Sequence, residues 1–489
     1  MMHLGERWST WNRLMGGAGR TLGCCAGLGA LALAGAGCRG VRHVASIPTL
    51  PAYQCRDCNV LLISIDTLRA DHLHAYGYGR DTSPNIDRLA REAVLFEQNI
   101  NTGGGTLPVH ASMFTSLPPT VHGIWAENHR ALATERITLA EQLRAGGYHT
   151  RGYTGGGFVR AVFGLGQGFD SFYDEGGDFK VELPMLFSWL DSYRGGKFFL
   201  FLHTYDVHSG FDKLPYDHGD AWNRRFSSAF NGHFDGCKQG RCASELLAAV
   251  NHDVLEGKRR SAADAFTPAE VEYMKGLYDG GIAYADHELG QLFDRLKARG
   301  LWDKTLIVLT ADHGEEFAEH GLLLHDQNHE EVARVPLLIR FPHGVFGDRR
   351  IAELVSTLEI MPTILDVLGI PANPEVEGQS VMPLIAGGRE GRGWVYMAGA
   401  LEKLRTPSWA LFADDTGPAQ LFDLRHDPGE TMNVLAANPQ TAASLFARYR
   451  QSRRHDVRVW RDLLLAHPAA TANLSSDDRA RLRSLGYMH

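Results

Sequence analysis

Two continuous apolar runs, each ending in an aspartate, constrain this chain more than any other feature. Val60-Leu61-Leu62-Ile63-Ser64-Ile65 stops at Asp66, and Thr305-Leu306-Ile307-Val308-Leu309-Thr310 runs into Ala311-Asp312-His313-Gly314. Runs without polar alternation belong to strands covered on both faces, the habit of parallel sheets. Phe198-Phe199-Leu200-Phe201-Leu202 is a third such run, and His203-Thr204-Tyr205-Asp206-Val207-His208 leaves its end. Open α/β sheets bind ligands beyond the carboxyl ends of their strands. The polar residues that stop these runs therefore stand where a ligand is expected.

Thr106-Leu107-Pro108-Val109-His110 lies between the first two runs. Two carboxylates (Asp66 and Asp312), one imidazole (His313) and one hydroxyl (Thr106) suit a divalent metal site. A metal there lowers the pKa of the Thr106 hydroxyl and makes it a nucleophile. Plainer readings stand beside this one. An aspartate after a strand also serves as a turn residue or helix N-cap. Thr-x-Pro also opens a helix, with the hydroxyl as its cap. The Thr106 readings are compatible, because a helix N-terminus favours a bound oxyanion.

These segments resemble the sulfatase family of the alkaline phosphatase superfamily. Asn59 to Tyr78 is similar to the family's opening strand and metal-binding turn, and Thr82-Ser-Pro-Asn-Ile-Asp-Arg-Leu-Ala90 to the helix after it. Thr106 to Leu117 stands at the nucleophile signature, and Thr310-Ala-Asp-His-Gly-Glu315 at the second metal motif. Val355 to Asp366 and Leu421 to Glu430 match further family segments. The resemblance spans roughly Cys58 to Tyr487. It implies an α/β fold: a mixed, mostly parallel sheet between helices, with a small C-terminal α+β subdomain. It also implies a hydrolase of sulfate or phosphate esters.

The chain departs from the family at chemically important positions. Formylglycine sulfatases carry Cys or Ser within Cys/Ser-x-Pro-x-Arg, whereas this chain has Thr106 and His110. Threonine cannot be oxidised to the same aldehyde. A sulfated threonine lacks the elimination exit of an aldehyde hydrate and needs a second nucleophile. Ile65 precedes Asp66 where calcium sulfatases pair two acids, and Tyr153-Thr154-Gly155-Gly156-Gly157 replaces a motif that carries Lys and His. The remainder resembles the branch containing phosphonate monoester hydrolases and threonine-dependent phosphoglycerol or phosphoethanolamine transferases. An Asp/Asp/His set favours Mn²⁺ or Zn²⁺, with Ca²⁺ or Mg²⁺ as alternatives, since Ca²⁺ prefers all-oxygen shells.

The resemblance suggests supporting roles for other residues. His208 is a candidate to protonate a leaving group or hold an oxyanion, with His203 beside it. Asn128 stands at the spacing of an amide that donates to an oxyanion. His325 and His329 are candidates to approach the substrate, His325 ahead of His329. His110, in place of an arginine, is expected to sit neutral on its helix. Each histidine has an ordinary alternative as a ring bonded to a nearby carbonyl.

A net charge of −8 argues against a nucleic-acid partner. Arg7, Arg13 and Arg20 precede an uncharged stretch from Thr21 to Gly37, which reads as an export signal. Ala36-Gly37-Cys38 resembles a bacterial lipoprotein site, so a membrane-anchored or periplasmic enzyme of the cell envelope is expected. The partner expected there is an anionic ester, on a glycan or a lipid headgroup. Cys55 with Cys58, and Cys237 with Cys242, read as local disulfides, with a zinc site built from all four as the rival reading. The expected organisation is an export segment (1–38), a linker (39–57), a catalytic domain (58–370) with an irregular insertion (209–265), and a C-terminal subdomain (371–489). Thr138 is expected to cap one helix in a capping box. Thr267-Pro268 opens a long helix through Arg299 that Gly300 closes. Two rival functions remain: a phosphoryl-group transferase, and a non-catalytic lipoprotein that binds anionic glycans.

Overall fold

The computed structural model describes residues 53–125, 130–210, 214–227, 243–399, 401–466 and 470–484. The export segment, Asn128 and the Cys237–Cys242 pair lie outside the described residues.

Eight strands build the main sheet: β1 (Asn59–Ile65), β2 (Val94–Ile100), β3 (Tyr148–Tyr153), β4 (Ser171–Tyr173), β5 (Lys197–Thr204), β6 (Thr305–Thr310), β7 (Leu337–Arg340) and β8 (Arg349–Ser356). Their order is β8-β2-β7-β6-β1-β5-β3-β4. All pairings are parallel except those of β7, which runs antiparallel to β6 and β2. The sheet is thus mixed and mostly parallel, as the apolar runs required. β1 is central, with Ile65 beside Thr204 of β5 and Ser64 beside Thr310 of β6. Three carboxyl ends therefore finish at one level, which brings Asp66, His203 and Asp312 to a common edge.

Alternation along each strand feeds two cores. Val60, Leu62, Phe199, Phe201, Leu306 and Val308 pack with Leu107, Val109 and Phe114 of α1 (Thr106–Thr115). Leu61, Ile63, Leu200, Leu202, Ile307 and Leu309 join a second core on the opposite face. The helical stripe Leu277, Ile282, Ala285, Leu289, Leu292 and Leu296 belongs to that second core. It lies on a helix spanning Pro268–Ala298, which opens with a Thr267–Glu270 capping box. Gly300, at φ +63°, turns the chain out of that helix. Thr138 and Glu141 form the expected capping box.

The segment read as an irregular insertion is more regular than its composition suggested. It holds helices at Asp220–Phe226 and at α2 (Ala243–Leu255). Leu247, Val250 and Val254 recur at helical spacing and pack into the second core. Asn251 clamps the loop beyond β6, donating from Nδ2 to the Leu323 carbonyl at 2.7 Å and accepting from the Leu323 amide at 2.8 Å.

The C-terminal region is a four-stranded antiparallel sheet of β9 (Val395–Met397), β10 (Glu402–Arg405), β11 (Trp409–Asp414) and β12 (Gly417–Asp423). The helix Pro439–Ala466 contributes Ala442 and Tyr449 to its core. Fully buried Lys403 joins this sheet to the main body through Glu330 at 3.0 Å, and is also paired with Glu430 at 2.8 Å. Cys55 and Cys58 form a disulfide. Among the described residues, no helix is long and apolar enough to cross a membrane.

Candidate active site

Gly103-Gly104-Gly105 delivers the chain into α1, and all three residues have positive φ, at +73°, +86° and +86°. Gly103 passes so close to Ala398 that a Cβ on it would lie 2.1 Å from the Ala398 carbonyl oxygen. This turn makes Gly105 the N-cap and Thr106 the first helical residue. The Thr106 hydroxyl does not cap the helix. It donates to Asp66 Oδ2 at 3.4 Å and lies 3.1 Å from His313 Nε2.

Asp66, Asp312 and His313 converge, with donor atoms lying within 4.8 Å of one another. His313 Nδ1 donates to the Gly314 carbonyl at 3.0 Å, so Nε2 carries the lone pair toward the site. That nitrogen is 3.4 Å from Asp312 Oδ2 and 3.9 Å from Asp66 Oδ1. Both of these carboxylate oxygens are buried and, among the described residues, lack a hydrogen-bond partner. Two buried carboxylates with bare oxygens facing one imidazole need a cation or a proton. Burial, then the charge of Asp312, pushes Asp66 well above the usual carboxylate range. Burial also works to raise Asp312, but His313, His110 and His203 hold it down at about 2. Burial lowers His313 to about 4. The donors present therefore fit a divalent cation held by two carboxylates and a neutral imidazole.

His203 and His110 flank this group. His203 Nε2 is 3.4 Å from Asp66 Oδ2, and burial holds its ring neutral. His110 Nδ1 donates to the Thr106 carbonyl at 2.8 Å, and its Nε2 meets Ser64 Oγ at 3.0 Å. Burial lowers His110 as well. His110 thus braces the first turn of α1 and does not supply the positive charge of the family's arginine.

His325 lies beside His313, and His208 lies beside His325. The His313 and His325 rings are 4.4 Å apart by centroid, and His325 and His208 are 5.2 Å apart. Burial, then His325 and His313, lowers His208 to about 3. Its Nδ1 lies 2.9 Å from the Ser209 carbonyl oxygen. Burial works against charge on His325, yet Glu315, 3.2 Å from its Nδ1, raises it. His329 does not join this group. Its ring stacks on His320 at 3.6 Å and packs near Phe412 of β11.

The residue reading missed Glu315 and Asn101. Glu315 directly follows the Asp312-His313-Gly314 turn, and its partner His325 comes from a loop ten residues on. Asn101 donates to the Asp312 carbonyl at 2.8 Å, a backbone contact that no motif spacing marks.

A family model described as Sulfatase matches residues 58–370. The chain belongs to the sulfatase family. A multifunctional alkaline phosphatase superfamily protein, PehA, from Trinickia caryophylli is 27% identical over 418 residues, covering 68% of this chain and 77% of that one. Arylsulfatase K from Bos taurus is 29% identical over 216 residues. That match covers 40% of each chain, so this chain spans well under half the length of that sulfatase. The fold is similar to that of the phosphonate monoester hydrolase of Agrobacterium radiobacter, with a TM-score of 0.65 and 22% identity, over 82% of this chain and 96% of that one. Within this sulfatase frame, the Thr106 and His110 departures fall inside the cluster of Asp66, Asp312 and His313.

Proposed function

We propose that this sulfatase-family hydrolase cleaves phosphate esters through Thr106, with a divalent metal held by Asp66, Asp312 and His313. One observation carries the reading. The Thr106 oxygen lies 3.1 Å from His313 Nε2 and 3.4 Å from Asp66 Oδ2, on a residue with no route to formylglycine. A divalent cation in this set supplies charge neutralisation and lowers the pKa of a nearby hydroxyl. The oxygen-plus-imidazole set favours Mn²⁺ or Zn²⁺.

The residues themselves account for the protons. Thr106 Oγ1 attacks phosphorus, and its proton passes along the existing hydrogen bond to Asp66 Oδ2. The P–Oγ1 bond forms as the P–O bond to the leaving group breaks. His325, with Nδ1 held by Glu315, protonates the leaving oxygen from Nε2. This role moves from His208 to His325, because the carboxylate partner stands beside His325. Water then attacks phosphorus, gives a proton to His325 and displaces Thr106, which recovers its proton from Asp66. An alcohol acceptor in place of water would make the same sequence a transfer.

The charged and then apolar N-terminus supports a site of action outside the cytoplasm, on an anionic ester of a glycan or lipid headgroup. The Cys55–Cys58 disulfide fits an oxidising compartment.

Mass spectrometry of acid-quenched enzyme with a phosphodiester tests the chemistry. The expected result is a phosphoryl adduct on Thr106, absent in Thr106→Ala. Rapid turnover of aryl sulfates with no action on phosphoesters would overturn the assignment.

A further inference from the structure

Glu316, His320 and His329 form a second set of donors that the proposed reaction does not use. Glu316 lies on a short strand, Glu316–Phe317, paired with Leu323–Leu324. His329 is the N-cap of the helix Glu330–Ala333. The three side chains bring donor atoms within 4.8 Å of one another. None of the three is contributed by the residues around Thr106.

The Glu316 side chain is 0% exposed and that of His329 is 7% exposed. Among the described residues, neither Glu316 carboxylate oxygen has a hydrogen-bond partner, and neither does His329 Nδ1. Glu316 Oε1 and His329 Nδ1 stand 3.2 Å apart without hydrogen-bond alignment. His320 is oriented from outside, since its Nε2 meets Glu331 Oε2 at 3.0 Å. A carboxylate on the far nitrogen is how metal-bound histidines are commonly held. The nearby cations are engaged elsewhere. Arg69 pairs with Asp71 and Glu319, and Lys403 with Glu330 and Glu430. Glu331, Glu319 and Asp326 add negative charge around Glu316.

We propose that Glu316, His320 and His329 bind a second divalent cation of the zinc class, with the stacked His320 and His329 rings turning apart so that each presents a nitrogen to the ion. Two imidazoles and one carboxylate suit zinc, and three protein ligands leave a fourth position for water. A bound cation removes the cost of burying bare carboxylate oxygens. The competing state is a protonated Glu316 with no metal.

The position gives the cation a structural role. Residues 316–329 carry His325, and His329 rests near Phe412 of the C-terminal sheet. A cation here pins both ends of the loop that places His325 and ties it to the second sheet.

Zinc counting on the full chain tests this independently of the chemistry at Thr106. Wild type, Asp66→Ala/Asp312→Ala, and that double variant with Glu316→Gln added are each saturated with zinc chloride and desalted. Mass spectrometry of the metal should give two, one and no equivalents. X-ray absorption on the zinc-loaded Asp66→Ala/Asp312→Ala protein should report two imidazole nitrogens and carboxylate or water oxygen near ~2.0–2.1 Å. No retained zinc in that double variant overturns the proposal. So does zinc unaffected by Glu316→Gln in a folded protein. Should the triple variant fail to fold, an absorption spectrum without two imidazoles has the same effect.

Discussion

Thr106 is the first residue of its helix and not the cap, which frees its hydroxyl for Asp66 and His313. The sequence left both roles open, because Thr-x-Pro has the same spelling in either. The Gly103–Gly105 turn decides between them, and its contact with Ala398 is nearly 300 residues distant in the chain. Thr106→Ala should therefore change stability by less than the roughly 1 kcal/mol expected of a lost cap. Its turnover of phosphoesters should fall by on the order of 10⁴-fold, and Thr106→Ser should retain part of the activity. Asp206 allows a separate test on pH. It accepts from the Thr204 hydroxyl and the Phe179 amide through Oδ2, while Oδ1 has no partner. Burial pushes its carboxyl up to about 7. A folded pKa above the unfolded one of about 3.9 means this contribution is present below pH 4 and lost as pH rises through 7. Asp206→Asn should gain on wild type between pH 4 and pH 8 by up to about 4 kcal/mol. Urea denaturation of both proteins at several pH values measures this, and a constant difference would show that Asp206 does not titrate in that range.

At the scale of elements, β1, β5 and β6 were legible because each is buried on both faces and so leaves an unbroken apolar run. The two capping-box helices were legible for a similar reason, since caps are local. β7 was not, because the reversal of Leu337–Arg340 is fixed only by pairing with β6 and β2. The helix Ala243–Leu255 was missed because its apolar stripe sits among many charges beside a cysteine pair. Close backbone approach is equally invisible before folding. Gly103 and Gly77 both have positive φ, at +73° and +101°, yet only Gly103 has neighbours within van der Waals reach of an added Cβ. Gly77→Ala should cost roughly 1–2 kcal/mol from backbone strain alone. Gly103→Ala should cost clearly more, because the Ala398 backbone cannot move aside without parting the two sheets. Denaturant melts of the two variants should rank them in that order, and equal losses would show that the junction yields.

At the scale of the whole molecule, the convergence of Asp66, Asp312 and His313 was legible because Asp66 and Asp312-His313 each end a strand of one sheet. The buried Lys403–Glu330–Glu430 group was not, because its members come from three separate segments with no shared motif. Chelation should abolish activity while far-ultraviolet circular dichroism stays native-like, and Mn²⁺ or Zn²⁺ should restore activity better than Ca²⁺. The proposed export rests on a basic start, an uncharged stretch from Thr21 to Gly37 and Cys38 beyond it. Cys55 and Cys58 are joined, and such bonds persist where thiols are oxidised. A single acyl group gives only weak membrane binding, so an anchor of the proposed kind would need more than one chain on Cys38. The full-length protein expressed in a bacterium should sediment with membranes and dissolve in detergent. Cys38→Ser should either release it in soluble form or leave the N-terminus unprocessed. A soluble cytoplasmic protein with an intact N-terminus would exclude export, and with it an envelope glycan or lipid as the substrate.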